Sequence, residues 1–243
     1  MHYGIVWVVN EQAPAATIET GKAREVIEEF RSVVLGRGGF VDAVLPPLAF
    51  LAANALAGTS AGMIAALLTA SAFVAFRLIR RQSFIYALLG LGSSLLAFVL
   101  SQVLQRAEIF FLPDMIINLA LAAISLLSIV LRRPLVAWTS HLVRRWPRPW
   151  YWHARVLPAY TEITLAWALY FLAQALMQWT VFQLQDAALL AALGLFTGWP
   201  GTVVLLILTY LYGTWRLARL AGPSVAEFRA GTPPPWTGQR RGF

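Results

Sequence analysis

The chain has 243 residues, of which 59% are hydrophobic and 12% charged, with a net charge of +8 and no cysteine. A soluble domain carries roughly 25% charged residues, whereas runs of about 18 or more apolar residues, the length a helix needs to cross a bilayer, recur along this sequence. A soluble enzyme or soluble nucleic-acid-binding domain is thereby excluded in favour of an integral membrane protein, and disulfides, thiol nucleophiles and thiolate metal sites are excluded with the cysteines.

Residues Ile5 to Val9 are apolar but too short, and lack the basic flank, for a cleavable signal. From Thr20 to Leu35 the residues Ala23, Val26, Ile27, Phe30, Val33 and Val34 recur at helical spacing, with Thr20 as N-cap and "GRGG" as the stop. This predicts an amphipathic helix on the membrane surface, docked on the bundle or binding a partner. Residues 1–39 then form a cytoplasmic N-terminal segment.

Six apolar segments follow. The first, about Val41 to Ala57, is short and contains Pro46 and Pro47, which suits a first helical turn, a kink or a partly re-entrant span. The next three run from about Ser60 to Ile79, Phe84 to Leu104 and Ile109 to Leu131. A fifth covers about Glu162 to Phe182. Beyond it, Ala187 to Thr197 is apolar, "GWPG" interrupts, and Thr202 to Leu217 is apolar again. One helix over that whole stretch would be too long for the hydrocarbon core, so the pattern predicts a short interfacial helix followed by a sixth span starting near Pro200.

The charges sort the connections. Arg77, Arg80 and Arg81 lie between spans two and three. The stretch "LRRPLVAWTSHLVRRWPRPWYWHAR" between spans four and five holds Arg132, Arg133, Arg144, Arg145, Arg148 and Arg155. Arg216, Arg219, Arg229, Arg240 and Arg241 follow span six, and the opposite loops hold only Arg106. The positive-inside rule then places both termini in the cytoplasm. The fold class is an all-α, polytopic membrane bundle of six spans, N-in and C-in. It comprises a membrane domain at 40–220 with a basic, aromatic cytoplasmic loop at 132–161, and a Pro/Arg tail at 221–243. In that loop Leu135, Trp138, Leu142 and Trp146 share one helical face, and Trp150 and Trp152 follow among prolines and arginines. Tryptophan at headgroup depth and arginine beside lipid phosphate predict a lipid-headgroup or partner surface from Arg132, Arg133, Trp138, Arg144, Arg145, Trp146, Arg148, Trp150 and Trp152. Lipid bilayer and other membrane proteins are the expected partners, not nucleic acid.

Ionisable groups inside spans are few, and each is a functional candidate by default. Asp114 falls about one and a half turns inside span four, with Asn118 one turn further along the same face. Such a pair can coordinate a cation or relay protons; Asp114 can equally cap the helix after Pro113, and the capping reading carries more weight. Asp42 and Glu162 begin spans one and five, where Arg77 and Arg155 could neutralise them. Gln174 and Gln178 share a face of span five and read as interhelical glue before they read as a substrate site. No histidine lies deep in a span, and no di-metal, Walker, nucleophile-elbow or zincin motif is present. No catalytic residue, metal or cofactor is expected.

The segments "VDAVLPPLAFLAA", "FRLIRRQSFIYALLG", "RAEIFFLPDMIINLALA", "LRRPLV" and "ITLAWALYFL" occur in an order that resembles a bacterial membrane family known as domain of unknown function 3159. More distantly, "RRPLV" and "LAWA" resemble the intracellular septation protein A family. The resemblance covers about Phe40 to Leu220. It implies a non-enzymatic inner-membrane scaffold or accessory protein, in septation or envelope homeostasis, and supplies no catalytic residues. By the same resemblance, Asp114 stands where a small or apolar residue is expected in the "FFLP" motif. Two other functions fit the residues. The terminal segments and the "PPPW" tail suit an accessory subunit of a large respiratory or photosynthetic complex. The Pro-broken first span, the interrupted last span and the Asp114-Asn118 face can instead line the cavity of a small transporter or lipid carrier.

Overall fold

The computed structural model describes residues 39–80, 85–239 and 242–243, and among these every regular element is helical. The expected amphipathic helix at 20–35, the side chain of Asp42 with its expected pairing to Arg77, and Arg81, Arg240 and Arg241 lie outside what is described. The long helices are α1 (Gly39–Ala57), α2 (Thr59–Ile79), α3 (Ile85–Val103), α4 (Leu112–Val130), α7 (Leu157–Gln183) and α9 (Trp199–Leu220). Shorter elements join them: a 3-10 turn, η1 (Ala107–Phe111), and helices α5 (Leu135–Arg144), α6 (Arg148–Tyr151), α8 (Ala187–Thr197) and α10 (Val225–Ala230).

Four segments are long and apolar enough to cross a membrane: Thr59–Ile79, Ala107–Val130, Leu157–Gln183 and Ala187–Leu220. Most of their surface faces outward. Leu68, Ile79, Ile116, Val130, Leu169 and Leu176 are all exposed on them, more large apolar surface than a chain in water presents. The chain is thus a membrane protein, with many of its large apolar side chains on the outside of the bundle.

Gly58 ends α1 with a φ of +86°, a conformation that costs a residue with a Cβ. It turns the chain so that α2 packs back on α1. At Gly62 a Cβ would approach Phe50 O to 2.8 Å, so glycine there sets how closely the two helices meet. Phe50, Met63, Ala66, Ala187 and Ala191 form one buried cluster, closed by Phe111 at 5.2 Å from Phe50 and Phe110 at 5.4 Å from Phe111. The short helix α8 therefore belongs to the bundle through its alanine face. The most extensive helix pair is α4 against α7.

A second core lies at the other end of α7. Trp150 is 0% exposed, Tyr151 and Tyr160 are equally enclosed, and Ala137, Val156, Leu217, Val225 and Phe243 complete the cluster. This corrects the lipid-headgroup role expected of Trp150. Its indole N–H donates to Pro223 O at 2.8 Å, and Trp146 and Tyr151 pack edge-on at 5.2 and 5.1 Å. Tyr151 also meets Ser140 at 3.2 Å between hydroxyls, and burial pushes its phenol pKa up. The loop is a folded cap with its own interior.

The tail closes that interior. Ser224 and Glu227 form a reciprocal capping box at the start of α10. Phe243 stacks on Tyr160 at 4.4 Å, its carbonyl accepts from Arg144 Nε at 2.7 Å, and Gly213 leaves room for its ring. Trp236, in the "PPPW" segment, packs on His153 at 5.3 Å and lies 5.7 Å from the Arg155 guanidinium. The tail thus docks on its own chain.

Candidate polar pocket within the helix bundle

The α4–α7 pair brings together the polar residues of two spans. Asn118 Nδ2 donates to Gln178 Oε1 at 3.1 Å, and one turn along α7 the Gln174 amide donates to Thr197 O at 2.7 Å. Both glutamines are 5% exposed. So far this is the interhelical glue their spacing predicts.

What the spacing does not predict is the other partner, a broken helix. The chain from Ala187 to Leu220 runs as α8 and α9 with a break at Gly198, whose ψ of −108° is not helical. A break inside a membrane leaves carbonyls without N–H donors, and such backbone persists only where side chains or a cavity satisfy it. Here the Tyr170 hydroxyl and the Gln174 amide both donate to Thr197 O, and Thr202 Oγ1 donates to Gly198 O at 2.8 Å. Gly201 is required beside them, because a Cβ there would come within 2.5 Å of the Tyr170 hydroxyl. Tyr170, Gln174 and Gln178 form one stripe at i, i+4, i+8 on α7. The break falls where "GWPG" interrupts the apolar run, and Pro200 sits in the first turn of α9, as expected.

Between α4, α7 and this break lies a cavity of about 360 Å³, within the range typical of small-molecule sites. Its walls include Asp114 and Asn118 from α4, Gln174 and Gln178 from α7, Gly198, Trp199 and Thr202 from the break, and Pro47 from α1. The three features expected from the sequence to line one cavity thus meet in one place. Asp114 occupies the first turn of α4 but makes no side-chain cap; the helix opens on Phe111 without one. Asp114 is exposed, lines the cavity and accepts no hydrogen bond from any described residue. Trp199 contributes a wall, with its Nε1 buried away from the cavity and without a hydrogen-bond partner among the described residues. The pocket thus presents a carboxylate that no described residue pairs, beside the amides of Asn118, Gln174 and Gln178.

Several other charges are matched within the chain. Arg106 Nε pairs with the buried Glu108 at 2.7 Å, and its guanidinium lies 5.3 Å from the Phe182 ring. Glu162 pairs not with Arg155, as its position suggested, but with Arg216: Nε and an Nη each donate at 2.7 Å, and the Tyr212 hydroxyl adds a third bond at 2.7 Å. Antiparallel α7 and α9 bring these residues level, while Arg155 donates instead to Ala221 O at 3.3 Å. On the cap, Arg133 lies 4.4 Å from the Trp152 ring, Arg148 5.5 Å from Trp138, and Arg144 5.3 Å from Trp146. Trp138 and Leu142 stay exposed on α5, whereas its Ser140 side is turned into the cap. Arg132 and Arg145 stand exposed at left-handed turns that end α4 and α5. No group of three or more acidic, histidine or cysteine residues that could hold a metal occurs among the described residues.

A family model described as a protein of unknown function, DUF3159, matches residues 35–218. The match spans most of the chain, and the protein belongs to that family. No curated protein and no solved structure matches it.

Proposed function

We propose that this member of the DUF3159 family is a non-enzymatic, multi-pass carrier of the cytoplasmic membrane that binds a small cationic or amine-bearing molecule at Asp114. The finer topology belongs to the same proposal. Helices α1 and α3 add two crossings to the four longer segments, both termini are cytoplasmic, and the arginine-rich cap faces the cytoplasm. The observation that carries the reading is Asp114 itself, a carboxylate that no described residue pairs, on the wall of a cavity between the helices. An ionised group at that depth is costly unless paired, and a ligand cation supplies the pair. The break at Gly198 favours the same reading, since discontinuous helices commonly frame solute sites in carriers.

Titration of the full-length protein in maltoside detergent with ethanolamine, and separately with sodium, tests the proposal. A hydrogen bond to a charged group contributes about 1.5–3 kcal/mol, so Asp114→Asn weakens binding by about 10- to 100-fold. Equal binding by the two proteins overturns it.

A second reading, a scaffold or accessory protein, is favoured by the folded cap and its exposed Arg132, Arg133, Arg145 and Arg148. It is tested by reversing those charges and comparing what copurifies from native membranes. Loss of a stoichiometric partner supports it, and an unchanged set of copurifying proteins counts against it.

A further inference from the structure

A second cavity of about 340 Å³ lies on the opposite flank of Ile117, between α3 and α4. Its walls are Leu96, Ala97 and Leu100 of α3 with Leu112, Pro113 and Ile116 of α4, and Ile109 of η1 closes its floor. Ser93 at the rim is the one polar side chain on its walls. Ile117 lines both cavities. On α4 the apolar groove takes residues 112, 113, 116 and 117, and the polar pocket takes 114, 117 and 118. At 100° per residue these are adjacent faces of one helix, with Ile117 as the partition.

The two sites therefore form a pair of opposite character, separated by one side chain. One holds the Asp114 carboxylate, which no described residue pairs, and the amides of Asn118, Gln174 and Gln178. The other is a slot of aliphatic side chains open to the lipid-facing surface, where Leu96, Ile116 and Ile117 are exposed. A small hydrophilic cation would use only the first. A molecule with a charged head and an aliphatic chain would use both.

Resting on the reading of Asp114 as a binding group, we infer that the ligand is an amphiphile with a cationic nitrogen in its headgroup. The nitrogen sits at Asp114 and one acyl chain lies across Ile117 in the α3–α4 groove. Charge complementarity selects the headgroup: a net-negative head would meet the Asp114 carboxylate with like charge. The groove selects shape rather than hydrophobicity, because lipid tails gain little by leaving one apolar medium for another. That makes a single bound chain distinguishable from the surrounding lipid by its site and headgroup.

The test uses full-length protein in maltoside detergent and three probes: dihexanoyl phosphatidylethanolamine, dihexanoyl phosphatidylglycerol and ethanolamine. The wild type binds the aminolipid at least about ten-fold tighter than either of the others. Leu100→Trp, which fills the groove from a partly exposed position, removes the advantage over ethanolamine but leaves ethanolamine binding intact. Asp114→Asn removes the preference for the aminolipid over the glycerol lipid. A thermal melt of each variant establishes that it is folded, and Leu96→Trp serves in place of a Leu100 variant that is not. Equal affinity for ethanolamine and the aminolipid overturns the amphiphile inference while leaving the Asp114 site standing. Equal affinity for the two lipids, unchanged by Asp114→Asn, means annular lipid only and overturns it as well. Ethanolamine binding indifferent to Asp114→Asn removes the site beneath both proposals.

Discussion

Replacing Trp150 with phenylalanine separates a cap with its own interior from a loop resting on lipid headgroups. Trp150 is 0% exposed and its indole N–H is bonded to Pro223 O at 2.8 Å. Phenylalanine keeps one aromatic ring but leaves that carbonyl, on the fully buried Pro223, without its donor. An unsatisfied buried acceptor costs about 1–3 kcal/mol, and the lost half of the indole leaves a void costing roughly 1 kcal/mol more. A total of about 3 kcal/mol corresponds to a Tm lowered by roughly 6–12 °C for a chain of this size. Thermal unfolding in detergent measures it, and tryptic cleavage after Arg229 provides a second readout, since a loosened cap releases the tail. If Trp150 were instead a headgroup anchor, phenylalanine would be nearly neutral in detergent. A Tm within about 2 °C of the wild type, with unchanged cleavage, refutes the buried assignment.

Separating Glu162 from Arg216 by Glu162→Gln lowers stability by about 1 kcal/mol, the scale of a partly exposed ion pair, and the swap Glu162→Arg with Arg216→Glu recovers part of it in a double-mutant cycle. Gly201→Ala drives a Cβ against the Tyr170 hydroxyl and costs about 1–3 kcal/mol; adding Tyr170→Phe relieves the clash, and a Tm as low as in the single mutant would speak against it. The Glu227 carboxyl is held at about 2, down from 4.5, by the N–H groups of Thr237 and Ser224. A depressed folded pKa stabilises fully above the unfolded value, so the tail contact weakens as pH falls from about 4.5 through about 2. Tail proteolysis by an acid-active protease follows that window in the wild type and loses it in Glu227→Gln.

The membrane class was legible because apolar runs of span length need no tertiary information to be read. The break before Pro200 was legible too, since "GWPG" interrupts an apolar stretch where backbone cannot stay unpaired. Asp114 stood out as a charge where charge is costly, and its pocket was half-visible in the Pro47, Asn118 and "GWPG" signals. Its assembly was not, because it depends on which turn of α4 faces which turn of α7, and exposed faces of a membrane bundle are as apolar as buried ones. The same ambiguity misassigned Trp150. Tryptophan among arginines has the composition of a headgroup belt, and only the partner at Pro223 turns it into a core residue. Glu162 was matched to its neighbour in sequence, Arg155, while the antiparallel register of α7 and α9 supplied Arg216. Tyr170 carried a usable signal, its i, i+4, i+8 alignment with Gln174 and Gln178.

The cap is completed by residues made long after it. Pro223 follows Trp150 by 73 positions, and Phe243 follows Arg144 by 99. At translation speeds of about 5–20 residues per second, the first of these intervals lasts roughly 4 to 15 s. Through that interval Trp146, Trp150 and Tyr151 exist with no Pro223, Val225 or Phe243 to enclose them, beside a bilayer whose headgroups suit indole rings. The interior of the cap therefore closes only once α9 and the tail have been made, so its folding is the last step of the chain's assembly and not a local event of the 132–161 stretch.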